Sequence, residues 1–129
     1  NCDNELSSTS LTDGPRNAKF VHSAIKSGLV VSAHDCSEGG ILVAAAEMAF
    51  GGNLGLDLQL KNELLCFSET ASRYLLEVTP ENIEQLQKHF DGVPIEVVGA
   101  FNDGKALHLG DATWNIDELM QCWLTGMVI

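Results

Sequence analysis

Basic residues are scarce in this chain: seven Lys and Arg stand against eighteen Asp and Glu, for a formal charge of -11 and a pI near 4.5. That balance excludes a general nucleic-acid binder, which needs clustered Lys and Arg against phosphates. An acidic membrane surface would repel it as well. Long apolar runs are missing too; none approaches the roughly 18 residues that a membrane span needs. The start, 1–14, has no basic flank and no signal-peptide core. The four cysteines, Cys2, Cys36, Cys66 and Cys122, form no CxxC pair, and the four His are scattered, so no zinc pattern is readable. Scattered reduced thiols in a cytosolic protein are the expectation. There is no GxSxG elbow, which leaves a hydrolase triad without support. Repeats and low-complexity tracts are also absent.

What is present fits one domain. The 129 residues are 45% apolar, enough to bury a core without disulfides or metals. Residues 1–14 read as a polar leader or linker, and 15–129 as the folded unit. Pro15 suits a first helical position after Asp13, Val21, Ala24 and Ile25 give the buried stripe, and Gly28 closes the helix. Residues 29–33 read as a buried strand. The run 41–50 (ILVAAAEMAF) is apolar on nearly every face, with Glu47 its one charge, and Gly51 and Gly52 are expected to end that helix. Leu56, Leu58 and Leu60 alternate with polar residues as in a half-buried strand. A short helix at 62–66 precedes a strand at 74–78. Thr79-Pro80-Glu81 opens a helix that buries Ile83, Leu86 and Phe90. A strand at 94–99 and a hairpin turn at 102–104 lead into another strand at 105–109. The last helix, from 116, places Ile116, Leu119, Met120, Trp123 and Leu124 on one stripe. The expected class is α+β: a mixed sheet of about four strands with helices packed on one face.

Two segments carry chemistry. Ser37-Glu38-Gly39-Gly40 joins a strand to a helix, where glycines let a ligand approach and unpaired N–H groups favour an anion. Asp35 and Glu38 oppose that use, and a plain turn with Ser37 or Asp35 capping the helix is the alternative. Ser68, Glu69, Thr70, Ser72 and Arg73 offer hydroxyls, a carboxylate and a guanidinium beside a strand. Arg73 can hold a phosphate bidentately or can pair with Glu69. His34 beside Asp35 is a weaker candidate for a general base than for a structural histidine.

The wording of these segments resembles a known family. Residues 31–40 (VSAHDCSEGG), followed by Ala45-Ala46-Glu47-Met48-Ala49, resemble the AHD-x-S-[DE]-GG…AEMA stretch of phosphoribosylformylglycinamidine synthase. Residues 67–74 (FSETASRY) are similar to its FSES-like segment, with Thr70 in place of the usual Ser. The likeness covers about 16–125 and places the chain in the aminoimidazole-ribonucleotide-synthetase-like superfamily. It implies the C-terminal domain of the second synthetase half, a copy for which Trp123 near the end is typical. The implied reaction uses ATP and glutamine-derived ammonia to convert formylglycinamide ribonucleotide to the amidine.

The resemblance also implies limits. The catalytic histidine, most magnesium ligands and most nucleotide contacts belong to nucleotide-binding domains outside this chain, so no catalytic or metal residue is expected here. ATP and Mg²⁺ are cofactors of the full-length cytoplasmic enzyme, with none expected in the fragment. Its partners are the nucleotide-binding domain of the same chain and a glutaminase component. Ser37, Glu38, Gly39, Gly40, Ser68, Glu69, Thr70, Ser72 and Arg73 become a candidate substrate-phosphate or interdomain cleft. An excised domain should leave apolar surface uncovered, expected on the sheet face away from the helices. The competing readings are another superfamily member (selenophosphate synthetase, thiamine-phosphate kinase or hydrogenase-maturation protein) and a free-standing interaction domain.

Overall fold

The computed structural model describes residues 10–62 and 64–126. Cys2 and most of the polar leader lie outside them. Helix α1 (Asp13–Lys26) begins two residues inside the stretch expected to be leader. It ends as expected on Gly28, at φ +77°, with Ser27, Gly28 and Leu29 returning their N–H groups to the carbonyls of Ser23, Ile25 and Ala24. Strand β1 (Ser32–Asp35) starts three residues later than the hydrophobic run suggested. Leu29 is buried against α1 instead of entering the ladder. The apolar run marks burial, and burial here is against a helix.

Helix α2 (Gly40–Gly52) runs through the two glycines expected to stop it, and left-handed Asn53 closes it. Strand β2 (Gly55–Leu58), helix α3 (Leu64–Phe67) and strand β3 (Tyr74–Glu77) follow. A 3₁₀ turn at Pro80–Asn82 runs into α4 (Ile83–His89). Strands β4 (Gly99–Asn102), β5 (Ala106–Leu109) and β6 (Ala112–Asn115) lead to α5 (Ile116–Thr125). The strand expected at 94–99 therefore begins where that range ends. Pro94 has no N–H to donate, and Ile95 and Val97 are exposed. Strand β6 was not expected at all; its four residues are all exposed and show no alternation.

The strands form two sheets. β1 and β3 pair antiparallel, with Ser32 opposite Glu77 and Asp35 opposite Tyr74. The other four make a mixed sheet in the order β4-β2-β5-β6. β2 runs antiparallel to β4 and parallel to β5. The turn at 102–104 exists, but the strands it joins are not neighbours, so the expected hairpin is a crossover over the start of β2. Gly55 makes room for it: a Cβ there would lie 2.9 Å from the carbonyl oxygens of Gly104 and Ala106.

Two apolar clusters flank the β1–β3 ribbon. Val21, Ala24, Leu29, Leu86, Phe90 and Val93 join α1 to α4, with Tyr74 and Leu76 against them. Ala45, Ala49, Leu56, Leu58, Leu107 and Ile116 join α2 and α5 to the mixed sheet, with Leu75 against them. Neighbours in β3 thus point to opposite clusters, as the pleat requires. The far face of the mixed sheet carries the row Ala100, Asp57, His108 and Thr113. That face is polar, contrary to the expectation of an uncovered apolar one. Exposed apolar side chains cluster instead on α3, where Leu64 is 69% and Phe67 65% exposed.

Candidate functional site

Pairing of β1 with β3 decides the site, because it carries the turn after β1 to the segment before β3. The Cys36 N–H continues the ladder to the Arg73 carbonyl at 2.9 Å. At the start of α2, Gly39 and Gly40 both hold left-handed geometry, at φ +77° and +70°. Gly40 also presses on α3: a Cβ there would lie 2.5 Å from the Cys66 carbonyl oxygen and 2.9 Å from Phe67 Cα. Side chains rarely take that backbone conformation, so this glycine is demanded twice.

No neighbouring side chain caps the first turn of α2. The Gly39 N–H instead donates to Glu69 Oε1 at 3.0 Å, thirty residues along the chain. Gly40 N–H turns back to the Ser37 carbonyl. The negative group favoured by a helix N-terminus is therefore supplied by the protein itself. Ser37 does not cap the helix; its hydroxyl donates to the Asp35 carboxylate. That bond holds the Asp35 carboxyl below its ordinary range.

Among the described residues Arg73 forms no ion pair with Glu69. Its guanidinium donates to the Ser68 carbonyl and its Nε to the Thr70 carbonyl, so it braces its own loop. Ser68 and Thr70 share a hydroxyl hydrogen bond of 2.8 Å. Ser72, at φ +69°, turns toward α1, where its carbonyl accepts from Asn17 Nδ2. The structure thus brings Glu69 to Gly39 and Gly40 to the end of α3, while Ser72 faces the other way. Glu38 lines an open depression of about 240 Å³ with His34, Asp35, Ser37, Val43 and Glu47.

The sequence reading missed the link built on Glu47. Its Oε2 accepts from His34 Nε2 at 2.7 Å, and its Oε1 accepts from Trp123 Nε1 at 3.1 Å. One carboxylate therefore ties β1, α2 and α5 together. The signal was available: Glu47 is the lone charge in an otherwise apolar helix, and such a charge needs partners. Burial would lower the His34 pKa, but hydrogen bonds to the Asp35 carbonyl and to Glu47 prevail and raise it. Burial pushes the Cys36 thiol up, so it stays protonated and unreactive at neutral pH.

With this geometry in place, three comparisons bear on the family and the fold. The family model described as AIR synthase related protein, C-terminal domain, matches residues 8–111. Phosphoribosylformylglycinamidine synthase subunit PurL of Alkaliphilus metalliredigens is 39% identical over 87 residues, covering 63% of this chain and 12% of that protein. The subunit of the same name from Corynebacterium aurimucosum is 38% identical over 101 residues, covering 73% of this chain and 13% of that protein. The chain therefore spans a small fraction of the length of the curated relatives it matches. Thermotoga maritima PurL complexed with FGAR superposes with a TM-score of 0.76 at 17% identity, over 88% of this chain and 22% of that one. The same protein complexed with ATP gives 0.70 at 18% identity, over 80% of this chain and 21% of that one. At those identities the superpositions show a shared fold.

Proposed function

The chain belongs to the AIR synthase related protein, C-terminal domain, family, and from that premise we propose that it works as the C-terminal domain of the second half of a phosphoribosylformylglycinamidine synthase. That enzyme is an ATP-dependent ligase of purine biosynthesis, and the curated relatives at 38–39% identity support the reading. The observation that carries it is the meeting of the two family-like segments, Gly39 N–H on the Glu69 carboxylate at 3.0 Å. Two motifs far apart in sequence form one polar edge, the arrangement a cleft facing a second domain requires. Ser37, Glu38, Gly39, Gly40, Ser68, Glu69 and Thr70 are proposed as its wall, with Ser72 and Arg73 supporting the loop from behind.

Within that reading the domain shapes a boundary and performs no chemistry of its own. Among the described residues no group of three or more His, Cys, Asp or Glu is placed to hold a metal ion. ATP with Mg²⁺ is assigned to the nucleotide-binding domain of the same enzyme. A glutaminase component would supply ammonia, and the setting would be cytoplasmic. No helix among the described residues is long and apolar enough to cross a membrane. The Leu64, Leu65 and Phe67 surface of α3, next to Gly40, is the face proposed to meet the neighbouring domain.

The test is a graft. This chain replaces the matching segment of the Corynebacterium aurimucosum synthase, and ADP release is followed with ATP, Mg²⁺, ammonia and formylglycinamide ribonucleotide. Substrate-dependent turnover in the chimera is expected. A folded, monodisperse chimera with no turnover overturns the assignment. The 129-residue chain alone should give no release above the blank, and turnover by it would place the chemistry in this domain.

A further inference from the structure

We infer that His34 is a protonation-dependent latch: as an imidazolium it joins the Asp35 backbone carbonyl to the Glu47 carboxylate, and loss of its proton frees the 35–38 turn. The geometry demands two donors. His34 Nδ1 lies 2.6 Å from the Asp35 carbonyl oxygen, and Nε2 lies 2.7 Å from Glu47 Oε2. Both partners are acceptors only. A neutral imidazole has one N–H and one lone pair, so it can satisfy one of them and must repel the other.

Which bond survives follows from the partners. A carboxylate is the stronger acceptor, and Glu47 is itself held by the Trp123 indole N–H. The remaining proton therefore stays on Nε2. The Nδ1 lone pair then faces the Asp35 carbonyl across 2.6 Å, and the turn has to move. Asp35 carries Ser37 with it through their side-chain hydrogen bond, so the motion reaches the residues before Gly39.

Against the cost of its burial, the charged groups around the ring favour the imidazolium. On its own strand and turn, the Asp35 carboxylate lies 3.7 Å from Nδ1, and Glu38 lines the same depression. From α2 comes Glu47. From β3, Leu75 lies opposite, while Glu77, further along, is engaged by the Ser32 hydroxyl. From α5 comes Trp123, which carries no charge. Among the described residues no Lys or Arg forms an ion pair with Asp35 or Glu47. Arg73 is occupied by the Ser68 and Thr70 carbonyls. The raised pKa of His34 agrees with this environment. The latch stands on these contacts and does not depend on the ligase reading.

The experiment is an NMR titration of the chain from pH 5 to 9, following the four imidazoles and the backbone amides of 36–40. His34→Gln identifies the His34 signals. His34 should titrate above 6.5, and the amides of Ser37, Gly39 and Gly40 should move with its midpoint. Glu47→Gln should lower that midpoint while leaving an acceptor for Trp123. Turn amides that ignore the His34 midpoint overturn the latch, as does a His34 midpoint that Glu47→Gln leaves in place. If His34→Gln does not fold, the wild-type and Glu47→Gln titrations still decide the matter.

Discussion

Helices α5 and α2 answer the same problem, unpaired N–H groups at a helix start, in opposite ways. α5 is capped from within: Asn115 Oδ1 accepts the Glu118 N–H at 3.1 Å, and Asp117 and Glu118 put negative charge in the first turn. α2 has no acidic residue in its first turn and no side-chain cap of its own. Its acceptor is Glu69, from the segment before β3. A local cap stabilises one helix. A cap supplied by another segment also ties two parts of the chain together, here the start of α2 and the loop before β3.

The contrast can be broken most severely at Gly40. Gly40→Val adds a side chain at φ +70° that collides with the backbone of Cys66 and Phe67. Urea unfolding should show a loss of at least ~3 kcal/mol, since overpacking and a left-handed side chain add together. A loss below about 1 kcal/mol would mean that α3 can retreat without cost and does not brace the turn.

Next in size are the caps themselves. Asn115→Ala should cost about 1 kcal/mol, the usual loss for an N-cap acceptor. Glu69→Ala should cost somewhat less, because Glu69 is exposed and its hydrogen bond competes with water. The informative readout is location. Amide exchange after Asn115→Ala should rise at the start of α5, whereas after Glu69→Ala it should rise both at 37–41 and in the 68–73 loop. Faster exchange at 37–41 with an unchanged loop would show that Glu69 caps α2 without coupling the segments.

The smallest expected effect concerns pH. His34 has a folded pKa above its unfolded one, so the stability it contributes is complete below 6.5 and is lost as pH rises through the folded value. Asp35 works in the other direction: its carboxyl is held below the ordinary 3.8, and its contribution is lost only as pH falls through that depressed value. Thermal melts of wild type and Glu47→Gln between pH 6 and 9 should differ in slope, with the wild type losing more stability over that range. Parallel curves would remove His34 from the account.

Much of the architecture was legible because it is written over short distances. The start of α5 at Ile116, the Gly28 stop, the Leu56 and Leu58 alternation and the α+β class all follow from contacts within a turn of helix or along one strand, whereas Trp123 and Leu124 of the expected α5 stripe are exposed. The glycine pair at 39–40 likewise announced a special backbone, and the structure places both residues at positive φ. What the sequence could not decide were choices among partners. Nothing near Asn102 says that β2 will enter between β4 and β5, since that depends on where a strand more than forty residues earlier comes to lie. Nothing near Glu69 says whether its carboxylate will take Arg73 or the Gly39 N–H. In isolation the guanidinium would be the stronger partner, but the β1–β3 register brings Gly39 within reach while Arg73 folds onto its own carbonyls. Local periodicity sets which elements form because its contacts close over three or four residues. Pairing, capping across segments and the polarity of the open sheet face wait for tertiary closure, because only then do distant groups compete for the same donor.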